Sequence, residues 1–195
     1  MTEEPRDART VARAKFQHAR DALFFARLIA EIDRSRESRG EVGALVSAVE
    51  RANGYNSPVP LVNQTLLLQM AYMTLVYPKE GDIGMIVGKW KPGLDWKRVN
   101  VIADTNGRFA KSEAWEQLLR TVRNSLAHSS IEVEDKRFVF TDSWKGESVK
   151  VAFGWDFLGE LTIEFFLAAN EALFDVPRDG GAQMKTGDIV DGGEA

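Results

Sequence analysis

Apolar residues recur at helical spacing in several long stretches, and this pattern predicts most of the elements. Over residues 7–34, Phe16, Ala19, Leu23, Ala26 and Ala30 form one stripe that Ala22, Phe25, Ile29 and Ile32 widen, while Arg9, Arg13, Gln17, Arg20, Arg27 and Glu31 take the wet side. Asp7 is a candidate cap, and no Gly or Pro interrupts the run. A charged break over 34–40 leads to a short helix over 41–52, carried by Val42, Leu45, Val46 and Val49 and closed by Asn53-Gly54. After a turn over 55–60, residues 61–77 leave hardly any polar face, which predicts a buried helix stopped at Pro78.

A further helix is predicted from Ser112, as cap, through Trp115, Leu118, Leu119, Val122 and Leu126. Beyond it, Ile131 to Val133, Phe138 to Thr141, and then Val149, Val151 and Phe153 alternate with period two. They predict a small hairpin that turns around Asp142 to Gly146. The last helix, over 155–174, narrows its polar face to Glu160, Glu164 and Glu171, with Leu158, Leu161, Phe165, Ala168 and Ala172 inward. Such a thin stripe predicts burial on several sides, part of it at a subunit contact.

Residues 79–111 show no clear period. Gly81, Gly84, Gly88, Pro92, Gly93 and Gly107 punctuate them, and Trp90 and Trp96 sit among Lys89, Lys91, Lys97 and Arg98. The glycines lack the Lys-Ser/Thr ending and the preceding strand of a phosphate loop. Aromatics interleaved with bases suit the stacking of exposed nucleobases, and tryptophans packed over a core explain the pattern equally well.

The 195 residues are expected to form one domain over 8–176, between a disordered N-terminus (1–7) and a disordered Gly- and Asp-rich tail (177–195). Apolar residues make up 44%, enough for a core, and there is no cysteine, which excludes disulfides, thiolate metal sites and a cysteine nucleophile. With two histidines no multi-His metal centre is expected, and no cofactor. The start of the chain is charged and no long apolar run occurs, so neither a leader nor a membrane partner is expected, and the cytoplasm is the expected location. Net charge is −4, but residues 86–125 hold eight basic against four acidic residues, hence +4 there and −8 elsewhere. A basic approach on an acidic protein suits a selective phosphate cleft, and a solvated face accounts for it as well.

The chemistry concentrates at the end of the helix that begins near Ser112, in Arg123-Asn124-Ser125-Leu126-Ala127-His128. At about 100° per residue Arg123 falls on the rim of the apolar stripe, while Arg120, Asn124 and His128 face away from it. The structural alternative is a cation-dressed helix end with His128 helping to cap. His18, near Phe25 and Ile29 on the apolar side of the first helix, reads as a core or interface histidine rather than a second proton-transfer group.

An Arg followed by a polar residue and a His resembles the signature of the HEPN (higher eukaryotes and prokaryotes nucleotide-binding) superfamily. The order of elements over about residues 8–175 resembles it too: long helices, the motif near a helix end, a short hairpin, and a last apolar helix. The stretch from about Glu80 to Lys111 has no counterpart in that resemblance. The resemblance implies a mostly α fold, a HEPN-like helical bundle with a small β-hairpin between the motif helix and the last helix, usually dimeric, many of whose active members cut RNA without metal. Arg123 and His128 would then be catalytic, and Asn124 and Arg120 would bind substrate. His128 can move a proton near neutral pH, Arg123 can hold a phosphate oxygen, and Asn124 is placed to orient the imidazole or bind phosphate. A toxin or defence role would bring an antitoxin or regulatory partner with it. Arg123 and His128 lie about 140° apart on an ideal helix, which favours a composite cleft in a homodimer. A non-catalytic module that binds nucleotide, RNA or a protein is the alternative.

Overall fold

Seven helices and four strands lie in the part of the chain described by a computed structural model, residues 7–176 apart from 79, 89, 91 and 112. The expected cap Ser112, the lysines 79, 89 and 91, the first six residues and the tail from Pro177 onward lie outside it. Helix α1 (Ala8–Ser35) buries Ala12, Phe16, Ala19, Leu23, Ala26 and Ala30, one narrow stripe at spacings of three and four. The second half of its expected apolar face is not enclosed. Phe25 is 57% exposed and Phe24 61%, while Ala22, Ile29 and Ile32 are half-buried. His18 follows the same pattern and is not a core residue: it is exposed, edge-on to Tyr77 at 5.4 Å between ring centres, because the core takes only the neighbouring stripe of α1, which leaves the interface half of the expectation standing as a proposal.

Helix α2 (Gly40–Ala52) is anchored through Glu50, which accepts from the Val59 amide and the Arg36 guanidinium. Helix α3 (Gln64–Ala71) starts at Asn63, whose side chain accepts from the Leu66 amide, and continues as a π-helical turn over Tyr72–Val76. That run buries Leu67, Met70, Ala71, Thr74 and Leu75 but leaves Tyr72 exposed, so it has an outer face that its apolar residues did not indicate.

The described part of the aperiodic stretch is folded. It contains α4 (Glu80–Val87), a 3-10 turn (Trp96–Arg98), strand β1 (Asn100–Asp104) and the single-turn α5 (Arg108–Lys111). Trp90 is buried against Trp115 and Phe165, and Trp96 packs edge-on to Phe109 and Trp115. Trp90 is core material and Trp96 is half-buried against the core, so both serve packing in this fold.

Helix α6 (Ala114–Ala127) leads to β2 (Ile131–Glu134), β3 (Arg137–Trp144) and β4 (Glu147–Gly154). The expected hairpin is thus part of a larger antiparallel sheet of four strands in the order β1-β4-β3-β2. Two facts account for the difference. Strand β1 is short and leaves its first three residues exposed, so it carries no alternation to read. Strand β3 runs past Asp142 to Trp144, and the turn is made by Lys145 and Gly146, both at positive φ (50° and 84°), which suits a tight two-residue loop. Phe138, Phe140 and Asp142 alternate onto one face of β3, opposite Phe153, Val151 and Val149 of β4.

Helix α7 (Trp155–Phe174) has the limits its sequence predicts and buries Leu158, Leu161, Phe165 and Ala168 against a continuous core that draws on α1, α3, α4, α6 and the sheet. Its C-terminus is closed from α1: Arg9 donates to the Ala172 carbonyl and pairs with Asp175, and Arg13 donates to the Leu173 carbonyl. Cations bound to the last carbonyls complement the negative end of the helix dipole.

Candidate functional site

Helix α6 carries every site residue expected from the sequence, on a surface narrower than its apolar spacing suggests. Leu118, Leu119, Val122 and Leu126 are buried, but so are Gln117, Thr121 and Ser125. These polar groups satisfy one another within the helix: Gln117 Nε2 donates to Thr121 Oγ1 at 3.1 Å, and Ser125 Oγ to the Thr121 carbonyl at 2.7 Å. About half of the helix is therefore enclosed, by β3 and by the π-helical turn. Glu116, Arg120 and His128 face outward, and Arg123 and Asn124 are half-buried at the two margins.

The helix ends in a Schellman arrangement. His128 is the C-cap residue, Ser129 takes the left-handed conformation (φ 55°), and the Ser130 amide donates to the Ser125 carbonyl at 2.8 Å while that of Ser129 reaches Leu126 at 3.4 Å. The left-handed position that usually falls to glycine is held here by a serine, one residue after His128. Strand β3 fixes this end from two adjacent residues. The Thr141 amide donates to the Ser130 carbonyl at 3.0 Å, and Asn124 Nδ2 donates to Asp142 Oδ2 at 3.2 Å. The imidazole of His128 has no side-chain partner among the described residues.

Asp142 is the participant that sequence reading missed. It is buried, and its Oδ2 also receives Arg108 Nη1 at 2.9 Å. Arg108 is delivered by α5, whose first amides are capped by Asp104: Arg108 N–H to Oδ1 at 2.7 Å and Phe109 N–H to Oδ2 at 3.0 Å. The signal was available in the chain, since Asp142 continues the period-two face of Phe138 and Phe140. Its expected place in a turn concealed it.

The other margin of α6 opens on a cavity of about 370 Å³ between α4 and α6. Leu75 and Phe165 line its apolar part, Ile83, Gly84, Val87 and Gly88 come from α4 and its end, and Glu116, Leu119, Arg120 and Arg123 come from α6. Helix α4 is held beside it by buried Ile86 and by the Lys15–Asp82 ion pair to α1. Arg123 Nε is buried with no hydrogen-bond partner among the described residues, as are Arg9 Nε and the indole nitrogens of Trp90 and Trp155. Leaving a buried donor unsatisfied costs about 1–3 kcal/mol, and of these four groups Arg123 is the one on the cavity wall.

The basic stretch thus divides. Arg98 donates to Asp156 at 2.8 Å and to Glu160, with its guanidinium 5.0 Å from the centre of the Phe157 ring. The Glu160 hydrogen bond holds it more firmly protonated than usual, with burial opposing. Arg98 and Arg108 are engaged by carboxylates, whereas Arg120 and Arg123 share the cavity. The structure does not bring Arg123 and His128 into one cleft of one chain: Arg123 lines the cavity, and His128 is not among its walls. Among the described residues no group of three or more His, Asp or Glu side chains comes together to hold a metal ion. No described helix is long and apolar enough to cross a membrane.

A family model described as HEPN pEK499 p136 matches residues 17–173, most of the chain, including the stretch from Glu80 to Lys111 that resembled nothing. The chain belongs to that HEPN family. No curated protein and no solved structure matches it. Membership makes this a HEPN-type domain and places it in a superfamily of nucleotide-binding and RNase type, with the Arg123-to-His128 segment at the end of α6, before the sheet and the last helix.

Proposed function

We propose that this HEPN domain is a metal-independent endoribonuclease working as a homodimer. The observation that carries the reading is Arg123, a half-buried guanidinium whose Nε has no partner among the described residues, on the same helix that ends at the exposed His128, whose imidazole has none among them either. RNA cleavage of this type joins the 2′-oxygen to phosphorus and breaks the bond to the 5′-oxygen. The 2′-OH proton goes to a base, and the leaving 5′-oxygen takes a proton from an acid. Arg123 stabilises the charge that builds on the non-bridging oxygens, and Arg120 adds a second cation on the same cavity. One imidazole cannot serve as base and acid at the same moment, so His128 of each copy takes one of the two roles across a two-fold axis. Asn124, already held by Asp142, keeps the helix end in place for that chemistry. The products are a 2′,3′-cyclic phosphate and a 5′-hydroxyl. A toxin or defence setting, with an antitoxin to restrain the activity, is consistent with such an enzyme.

The second reading is a HEPN module that binds RNA or nucleotide without cutting it, favoured by the separation of Arg123 from His128 within one chain. Single-stranded RNA incubated with the wild type and with His128→Ala in the presence of chelator separates the two. The enzyme reading expects cyclic phosphate ends from the wild type and a loss of at least about a hundredfold in the variant with RNA affinity kept. Binding without cleavage in both proteins would leave the module, and cleavage only with added metal would overturn the mechanism.

A further inference from the structure

The cavity beside α6 has more chemistry than phosphate binding uses. Its volume, about 370 Å³, lies in the range of small-molecule and cofactor sites, and most of its wall is apolar. Its polar groups sit on one helix, in the order Glu116, Arg120, Arg123. A Glu placed four residues before an Arg normally gains about 0.2–0.5 kcal/mol by pairing with it. Here Glu116 makes no side-chain hydrogen bond or ion pair with Arg120, Arg123 or any other described residue. Among the described residues the site therefore offers an unpaired carboxylate on Glu116 and unpaired guanidiniums on Arg120 and Arg123, one and two turns further along α6, opposite apolar walls from α4, Leu75 and Phe165.

A ligand that satisfies all three is an anion with an apolar planar body and N–H donors at its far edge. Glu116 and Arg123 are seven residues apart, about 10 Å along the helix, the span between the phosphate of a nucleotide and the outer edge of its base. A carboxylate only accepts, through two oxygens. Among the four RNA bases guanine presents two adjacent donors on its Watson–Crick edge, N1–H and the 2-amino group. Adenine offers a donor beside an acceptor, and uracil and cytosine are likewise mismatched to a bidentate acceptor.

We infer that this cavity is a guanine-selective nucleotide subsite, with the phosphate on Arg123 and Arg120, the base between α4 and α6, and Glu116 accepting from N1–H and the 2-amino group. The inference rests on the proposed phosphate role of Arg123. Two features of α4 fit a slot for a flat base. Gly84 and Gly88 lie one turn apart on the cavity, and a Cβ placed on either meets nothing within 4 Å. The missing side chains leave room rather than avoid a clash.

The test uses the full chain and 5′-GMP, 5′-AMP, 5′-CMP and 5′-UMP in calorimetric titration. GMP is expected to bind at least about tenfold more tightly than the others, the discrimination of one bidentate pair. Glu116→Gln should bring GMP and AMP to within about threefold of each other, and Gly84→Leu, which fills the slot, should weaken GMP at least about tenfold while inorganic phosphate binds as before. Equal affinities for the four nucleotides, or an unchanged GMP-to-AMP ratio in Glu116→Gln, would overturn the subsite. Guanine-containing and guanine-free single-stranded oligoribonucleotides identify the source of the ligand. A guanine-dependent oligonucleotide affinity well above that of GMP assigns the slot to RNA, and GMP affinity equal to it assigns the slot to a free nucleotide. Guanine selectivity without any cleavage would uphold the subsite and remove the nuclease, while cleavage that ignores base identity and survives Gly84→Leu would do the reverse.

Discussion

Arg98 and Arg108 lie in the same basic stretch as Arg120 and Arg123, and the two pairs have opposite fates. Arg98 bridges the 3-10 turn to α7 through Asp156 and Glu160, and Arg108 joins α5 to the sheet through Asp142 and Glu147. These contacts tie the irregular segment to the regular fold. Arg120 and Arg123 have no carboxylate partner among the described residues and open on a cavity. The stretch is basic in sequence, but among these four arginines only the second pair lines a cavity. A local excess of cations shows where anions are needed; which anions belong to the protein depends on topology.

The comparison breaks most easily at Asp142. Asp142→Ala takes the closer carboxylate, at 2.9 Å, from Arg108 and leaves Asn124 Nδ2 without its acceptor, and removing one partner of a buried pair costs about 3–5 kcal/mol. We expect a loss near the lower end, about 3 kcal/mol in chemical denaturation, because Arg108 keeps its second carboxylate. A change below about 0.5 kcal/mol would show that the network is not structural. Arg98→Ala removes a half-exposed ion pair and a cation–π contact and should cost about 1 kcal/mol while leaving RNA affinity and its salt slope nearly unchanged. Arg120→Ala should do the opposite, weakening RNA binding and reducing the salt slope by about one contact with no loss of stability. Equal salt slopes in both variants would dissolve the distinction.

The smallest effect concerns acid. The Val59 amide and then the Arg36 guanidinium hold the Glu50 carboxyl below its ordinary value of 4.5. A depressed carboxyl stabilises the fold above its unfolded value and loses that contribution as pH falls through its folded one. Wild-type stability should therefore fall more steeply than that of Glu50→Gln as pH drops from about 4.5 downward. Parallel acid profiles would remove Glu50 from the account.

Much of this architecture was legible in the chain because periodicity records burial on one side. The limits of α7 and the apolar stripe of α6 follow from it. It fails where burial is uneven or the partner is distant in sequence. Phe25 and His18 share a helical face with core residues, yet α1 is enclosed along one stripe only, so apolar character overstated the core. The described part of residues 79–111 gains order from contacts a linear pattern does not carry: β1 from pairing with β4, α5 from the Asp104 cap, Trp90 from α6 and α7, and Trp96 from α5 and α6. At the candidate site, the outward faces of Arg120 and His128 and the marginal place of Arg123 were readable, whereas Asn124, expected to face outward, is half-buried and donates to Asp142. Asp142 was not readable, since its role depends on β3 lying beside α6. The cavity was not either, since α4 arises from a glycine-punctuated segment.

The central claim is that Arg123 is kept unsatisfied for substrate, against the interest of the fold. Arg123→Met measures this most directly, because it keeps the apolar length of the side chain and removes the buried donor. The variant, assayed for thermal unfolding and for cleavage of single-stranded RNA under chelation, should melt at or above the wild-type temperature and lose at least about a hundredfold in cleavage. A variant that melts several degrees lower and cuts RNA as the wild type does would make Arg123 a structural residue and contradict the account.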